Sequence, residues 1–465
     1  MNFDTYLSPF TWRYGSQEMR RVWSEENKRL LWRTLWVALA EVQHEYGLVT
    51  SEQLADLVAH QEQVDVVSAL EIESHIKHDL MAELKLFAQQ APVGGSILHL
   101  GATSADIEDN ADVLRMRQAI SLVLGKLLRL LKMFAERIEL WAEVPLIGFT
   151  HLQPAEPTTL GYRLAVYTQD LFTDWEELQR VNNRLRGKGF RGAVGTGASY
   201  AQLLGRTEKD GTQLLNEFEA QLSKRLNLPF YPITTQVYSR KQDYQVISAL
   251  AGLGSTLYKF AFDLRILQSP VIGELGEGFG QNQVGSSAMP FKRNPIKAEK
   301  VDSLARALAQ MPRIAWDNAA HSLLERTLDD SANRRTLLPE SFLITDELLE
   351  VGIQILKGLQ IDQTAMKRNL ATYGPFAGIE RLLMGLSRAG ADRQEMHEIL
   401  RKHAMRAWGV IKEGKPNPLP DLLSQDPRIL RYLSAEEILI LLNVDQYLGD
   451  ASQRARQLAE RIAAL

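Results

Sequence analysis

Cysteine is missing altogether from this chain of 465 residues. Its absence excludes disulfides, thiolate nucleophiles, iron–sulfur clusters and cysteine zinc sites. A basic stripe is missing too. Acidic and basic residues are interspersed and the formal net charge is only −4, so nucleic acid is not an expected partner. No uninterrupted apolar run approaches membrane-span length, so a membrane is not expected either. The opening residues Met1-Asn2-Phe3-Asp4 carry no basic region followed by an apolar segment. No signal peptide is therefore expected, and a cytoplasmic location is. Of the nine histidines, His75 and His78 stand three apart, but no third ligand lies near them and no metal is expected. No internal repeat, low-complexity tract or strand-rich region stands out.

What the chain does have is helical periodicity, over a length sufficient for two or three domains. From 105 to 141, Val113, Met116, Ile120, Leu124, Leu127, Leu131, Phe134 and Ile138 step by threes and fours, the spacing of one helix face. Leu114, Leu122, Leu128 and Leu130 add a second apolar face, so this helix must be buried on more than one side. Residues 156–187, opening with Pro157, read as a second long helix, and 240–269 as a third. The uncharged stretch 244–258 is too short and too rich in Gln, Ser and Gly for a membrane span. Its Gly252, Gly254 and Ser255 allow close helix–helix approach. Helices of about 30 residues run about 45 Å, longer than one compact bundle of this size needs. That points to subunits packing into a shared multi-helix core.

Soft boundaries fall near 103 and 357. They give an N-terminal helical domain (1–103, with loops around 91–95), a central long-helix domain (104–357) and a C-terminal helical domain (358–465). Shorter helices in the last are broken by Pro375, Gly390, Gly414, Pro416, Pro418 and Pro420. A short hairpin is placed around 187–205, where five glycines punctuate the chain. The Gly192-Ala193-Val194-Gly195-Thr196-Gly197 run lacks the preceding apolar strand that a dinucleotide site needs.

Chemistry concentrates in the loop Gly285-Ser286-Ser287-Ala288-Met289-Pro290-Phe291-Lys292-Arg293-Asn294-Pro295, within the glycine-rich stretch 273–295. Two hydroxyls, a lysine and an amide there suit removal of a proton from a carbon next to a carboxylate. Carbanion chemistry needs a base, fixed positive charge and donors aimed at the developing charge. Four further stretches interrupt apolar patterns. Thr103 and Ser104 precede the first long helix; with Asp106 they read as a cap, and a helix N-terminus bearing two hydroxyls is also a carboxylate site. Thr150-His151 leads into the next long helix, and its imidazole can donate or accept a proton near neutrality. Glu325-Arg326-Thr327-Leu328-Asp329-Asp330-Ser331-Ala332-Asn333-Arg334-Arg335 reads either as a solvated face or as an anion site. In the second reading Arg326 and Arg335, joined by Ser331, offer forked donors to a phosphate. Trp12-Arg13-Tyr14 pairs a guanidinium with aromatic rings.

These stretches resemble, in order and approximate spacing, the adenylosuccinate lyase family of the fumarase/aspartase superfamily. LHLGATSADIEDNADV, GFTHLQPAEPTTLG, QVYSRKQDYQVISALAGLG, GSSAMPFKRNP and ERTLDDSANRR look most like its animal-type branch. The likeness runs from Trp12 to about Leu433. It implies the mainly α, three-domain superfamily fold, with a homotetramer whose central domains form a twenty-helix core. Each active site would be shared between three subunits. It implies small-molecule nucleotide substrates, no cofactor, and elimination of fumarate from a C–N bond. Residue by residue, Ser286 matches the catalytic base, with Ser287 as the alternative hydroxyl. Lys292 matches the cation beside it, and Asn294 a contact to the succinyl group. His151 matches the general acid, Glu299 a glutamate that orients it, and His78 a second active-site histidine. Thr103, Ser104 and Gln236 match contacts to the succinyl portion, and Asp79 and Thr150 join the substrate-binding set. Arg13, Tyr14, Arg326, Ser331 and Arg335 match nucleotide and phosphate contacts.

Two positions depart from the family pattern. Phe291 stands where relatives carry histidine or tyrosine, and Lys300 where the animal branch has arginine, which keeps charge but loses forked geometry. Rival readings are argininosuccinate lyase, a carboxymuconate cycloisomerase, or a non-catalytic helical scaffold. The phosphate-type arginines speak against the first two. The joint retention of Ser286, Lys292, Asn294, His151 and His78 speaks against the third.

Overall fold

The computed structural model describes residues 3–205 and 208–465. The chain is mainly helical and divides into two compact units. The first comprises Met1–Leu127, Asp174–Ser255 and Ser303–Glu350; the second comprises Leu128–Thr173, Thr256–Asp302 and Val351–Leu465. Among the described residues no helix is long and apolar enough to cross a membrane.

The helix expected from 105 runs Ser104–Trp141. It starts where the Asp106 carboxylate accepts the Thr103 N–H at 3.0 Å, pairing one of the donors that a helix N-terminus leaves open. Val113, Met116, Ile120, Leu127, Leu131, Phe134 and Ile138 are fully buried, while Leu114, Leu122 and Leu128 on the second face are half-buried. Each fully buried Leu, Ile or Phe contributes about 1.5–3 kcal/mol.

The second long helix starts later than the sequence reading has it, at Leu160, and ends at Arg184. Residues Gln153–Thr159 form a strand antiparallel to Pro145–Thr150 instead. Pro157 lies in that strand opposite Ile147. A two-stranded ribbon is all edge, so a residue without an N–H is tolerated there. No hairpin forms at 187–205. That stretch leads into a helix, Ala198–Leu204, and makes a bridge from Gly187 to Phe230. Its backbone at 191–192 meets the Asp106 carboxylate, which accepts N–H groups from Arg191 and Gly192 and pairs with Lys188. The third long helix runs Lys241–Leu267, and a Cβ at Gly254 would stand 3.0 Å from the Leu308 side chain.

Pro375 does not break its helix, which spans Gln363–Arg388. A proline removes one backbone donor, and tertiary packing outweighs that loss. Gly390 and Gly414, both at positive φ, do end helices. The first unit's core includes Leu35, Trp36, Phe87, Ile107, Tyr200 and Phe218. The second unit holds a cluster around Leu382, Leu386, Met396, Leu400 and Ile438. It also holds edge-to-face contacts from Phe260 to Phe134 and Tyr167.

Candidate active site

In the first unit, buried ion pairs clamp the arginine-rich stretch in place. Arg240 donates to Asp109 at 3.0 and 3.1 Å and to Asp330 at 2.7 Å. Arg334 donates to Asp243 and to the Tyr238 hydroxyl, each at 2.8 Å. Burial raises the Asp330 carboxyl, but Arg240, Arg334 and Arg326 outweigh it, and the net shift is downward. Removing one partner from such a network would leave a buried charge without compensation. On this base Arg326 Nη1 reaches Asp330 at 2.9 Å and Arg335 Nη2 reaches Asp79 at 3.0 Å.

Arg326, Ser331, Arg335 and Asp79 line one cleft of about 150 Å³. The structure thus joins three expected phosphate contacts to one expected substrate contact. Glu108, which the sequence reading passed over, lines it too. Burial pushes the Glu108 carboxyl up to about 8, with Asp79, Asp109 and Asp112 adding to the rise.

The other expected residues of this unit lie outside that cleft's lining. Gln236 is anchored by its N–H, which donates to the Glu325 carbonyl at 3.2 Å. Arg13 is exposed, with its guanidinium 5.5 Å from the Trp12 ring centroid, and Tyr14 is half-buried. Thr103 and Ser104 are half-buried at the start of the long helix. His75 ends the helix Val66–Ile76, and His78 caps the next, where its Nδ1 accepts the Met81 N–H at 3.4 Å. Left-handed Lys77 separates them, so they do not share a helix face. Among the described residues no side-chain group is arranged to hold a metal.

His99 was also passed over. It sits at φ 65° and its Nδ1 accepts the Trp36 Nε1–H at 3.1 Å, which leaves Nε2 as the protonated nitrogen of the neutral ring. Burial lowers its pKa, and Asp106 opposes that shift. The signal available in the sequence was a histidine four residues ahead of Thr103, in LHLGATS.

The signature loop belongs to the second unit. Its ends are pinned. Glu277 accepts the N–H groups of Lys297 and Ala298, both at 3.0 Å, at the start of the helix Ile296–Leu308. Lys297 Nζ donates to the Gly278 carbonyl at 2.8 Å. Leu275–Gly276 pairs with Gln360–Ile361. Inside the loop, Asn294 Nδ2 donates to the Gly285 carbonyl at 3.0 Å. The Ser286 hydroxyl oxygen accepts two backbone N–H groups, from Ala288 at 3.3 Å and Met289 at 3.1 Å. Ser287 is exposed and makes no such contact among the described residues. Lys292 and Asn294 line a cavity of about 940 Å³.

His151 stands on the turn of the 145–159 hairpin. Thr150 pairs with Gln153, and the two residues between, His151 and Leu152, take φ 53° and 58°. This is a two-residue turn that favours Asn-Gly. Left-handed backbone costs a residue with a Cβ about 1–2 kcal/mol, so the turn holds an exposed imidazole at a cost in stability. Glu299 lies 3.9 Å from Arg265 Nη2, and no hydrogen bond joins it to His151 among the described residues.

The loop of the second unit thus offers a hydroxyl with two backbone donors, a lysine and an amide, and the first unit by itself offers an arginine cleft. Comparison with known proteins supplies the class. Residues 14–309 match the family model described as Lyase, and residues 376–458 the model described as Adenylosuccinate lyase C-terminus. The adenylosuccinate lyase of Schistosoma mansoni is 39% identical over 91% of this chain and 88% of its own length. That of Schizosaccharomyces pombe is 34% identical over 99% and 95%. A crystal structure of 3-carboxy-cis,cis-muconate lactonizing enzyme from Pseudomonas putida matches with a TM-score of 0.84 at 25% identity, over 98% of this chain and 99% of that one. The fold and the first model define a lyase. The full-length relatives and the second model narrow the class: the chain belongs to the adenylosuccinate lyase family.

Proposed function

We propose that this enzyme eliminates fumarate from adenylosuccinate to give AMP, and from the succinylated carboxamide ribotide SAICAR to give AICAR. Ser286 removes the proton from the carbon beside the succinyl carboxylate. The resulting carbanion collapses to the double bond of fumarate as the C–N bond breaks, and His151 delivers a proton to the leaving nitrogen. Lys292 and Asn294 hold the carboxylate as charge builds on it, and the arginine cleft holds the phosphate.

The observation that carries this reading is the pair of backbone N–H groups donated to the Ser286 oxygen. A serine acts as a base only where its alkoxide is stabilised, and among the described residues Ser287 has no such donors. A homotetramer in the cytoplasm, with sites shared between three subunits, is the setting assumed. Within one chain neither His151 nor Glu299 lines the loop cavity, which supports completion of the site by other copies. Helices begin at Ser104 and end at Lys357, next to the proposed domain boundaries at 103 and 357, while the two compact units divide these helices at 127 and 350.

The test is fumarate release from purified protein and adenylosuccinate. Ser286→Ala and His151→Ala are each expected to lose about 10²–10⁴-fold in kcat while still binding AMP. Near-normal turnover in Ser286→Ala would move the base to Ser287 or elsewhere.

A further inference from the structure

We propose that Glu108 is a specificity-determining residue of the arginine cleft, presenting an un-ionised carboxyl whose O–H donates to an oxygen of a bound phosphate monoester. This rests on the reading that the cleft receives the substrate's phosphate.

Glu108 lines the cleft beside Arg326, Ser331 and Arg335. Among the described residues it makes no hydrogen bond and no ion pair. The cations around it are already engaged. Arg326 holds Asp330 and Arg335 holds Asp79. Arg334 holds Asp243 and Asp112, Arg240 holds Asp109 and Asp330, and Arg115 reaches Asp112. Lys28, on the helix Glu25–Glu45, holds Glu25. Among the described residues each of these cations thus holds another carboxylate, and none forms an ion pair with Glu108.

The carboxylates facing it come from its own helix (Asp109 and Asp112), from the start of the helix Asp79–Gln90 (Asp79), and from Glu25. Burial first, then Asp79, Asp109 and Asp112, push its pKa up to about 8, against the pull of Arg326. The chemistry follows from proton count. An ionised carboxylate and a phosphate dianion are both acceptors only, and they repel each other. A carboxyl that keeps its proton supplies a donor among the arginine forks without adding negative charge. Binding of the phosphate then couples to a proton on Glu108.

The sign is set by the direction of the shift. The binding-competent form predominates below about pH 8 and is lost above it. Apparent affinity scales with the competent fraction, so affinity falls about tenfold between pH 7 and pH 9.

The test uses sulfate as a competitive inhibitor of the full-length enzyme, because the charge of sulfate does not change near neutrality. In the wild type, its inhibition constant is expected to rise about tenfold between pH 7 and pH 9. In Glu108→Gln, whose amide donates at every pH, the constant is expected to be flat over that range. A flat wild-type profile, or a Glu108→Gln profile with the wild-type slope, overturns the proposal and leaves the cleft reading standing. Sulfate that does not compete at all, together with an unchanged KM in Arg335→Ala, overturns both. A measurement on the wild type alone guards against a misfolded variant: AMP binding followed by calorimetry at pH 8 in two buffers of different ionisation enthalpy. Uptake of about half a proton per site is expected, and no uptake overturns the proposal.

Discussion

Gly285 offers a severe test of the loop, because it opens the signature without holding any reacting group. A methyl group built there falls well inside the van der Waals contact distance of the Lys292 carbonyl oxygen and 3.1 Å from the Phe279 ring. The Lys292 oxygen belongs to backbone and has no rotamer to yield. Gly285→Ala must therefore part the two sides of the loop, and the shift strains the 3.0 Å bond from Asn294 Nδ2 to the Gly285 carbonyl. Displacing a catalytic group by about 1 Å costs about 100-fold in rate. Loss of one half-buried hydrogen bond costs only about 1 kcal/mol of stability, about 2 °C or less in Tm for a chain of this size. Steady-state fumarate release and thermal unfolding, measured side by side, separate the two effects. The expected result is a kcat reduced about 100-fold with nearly unchanged Tm. Wild-type kcat would refute the claim that this close approach positions Ser286 and Lys292. A large fall in Tm would show that the loop is part of the folded core.

Three other outcomes are expected. Arg335→Ala raises KM about 10- to 100-fold, the worth of a charge-assisted contact. It scarcely alters stability, because its bridge to Asp79 has an arginine side chain that is 61% exposed; an unchanged KM would remove it from the substrate site. Glu83→Ala leaves two buried guanidinium groups, those of Arg29 and Arg33, without the carboxylate they hold at 3.1 and 2.6 Å. Denaturant unfolding should show a loss of about 3–5 kcal/mol, and a loss below about 1 kcal/mol would mean that water reaches the pair. The loop 273–295 should be cleaved more slowly by a protease in the presence of AMP and fumarate, and equal rates would count against closure over substrate.

The long helices were legible because a 3.6-residue repeat of apolar side chains needs no tertiary information to be seen. Where 153–159 pairs as a strand, the reading failed for a definite reason. Pro157 resembles a helix start, and only pairing with Ile147 across the ribbon makes it a strand residue. The glycines of 187–197 misled in the opposite way. They resemble hairpin turns, yet one of them, Gly192, donates its N–H to a buried carboxylate, Asp106, 86 positions earlier in the chain. Pro375 looks locally like a break but lies within the helix Gln363–Arg388, because local propensity is weaker than the packing around it.

By itself the sequence determined the helical class, the absence of thiol chemistry, the signature loop and the arginine-rich stretch. Each of these is local: residue types at short spacing, with chemistry that does not depend on what lies nearby. The tertiary structure alone decided that the Asp106 carboxylate is enclosed by Lys188, Arg191 and Gly192 from far along the chain. It also decided that Arg326, Ser331 and Arg335 meet Asp79 from a distant helix, and that Glu108 joins them unpaired. Hydrogen-bond geometry, desolvation and charge pairing depend on distances between residues far apart in the chain, and only folding sets those distances.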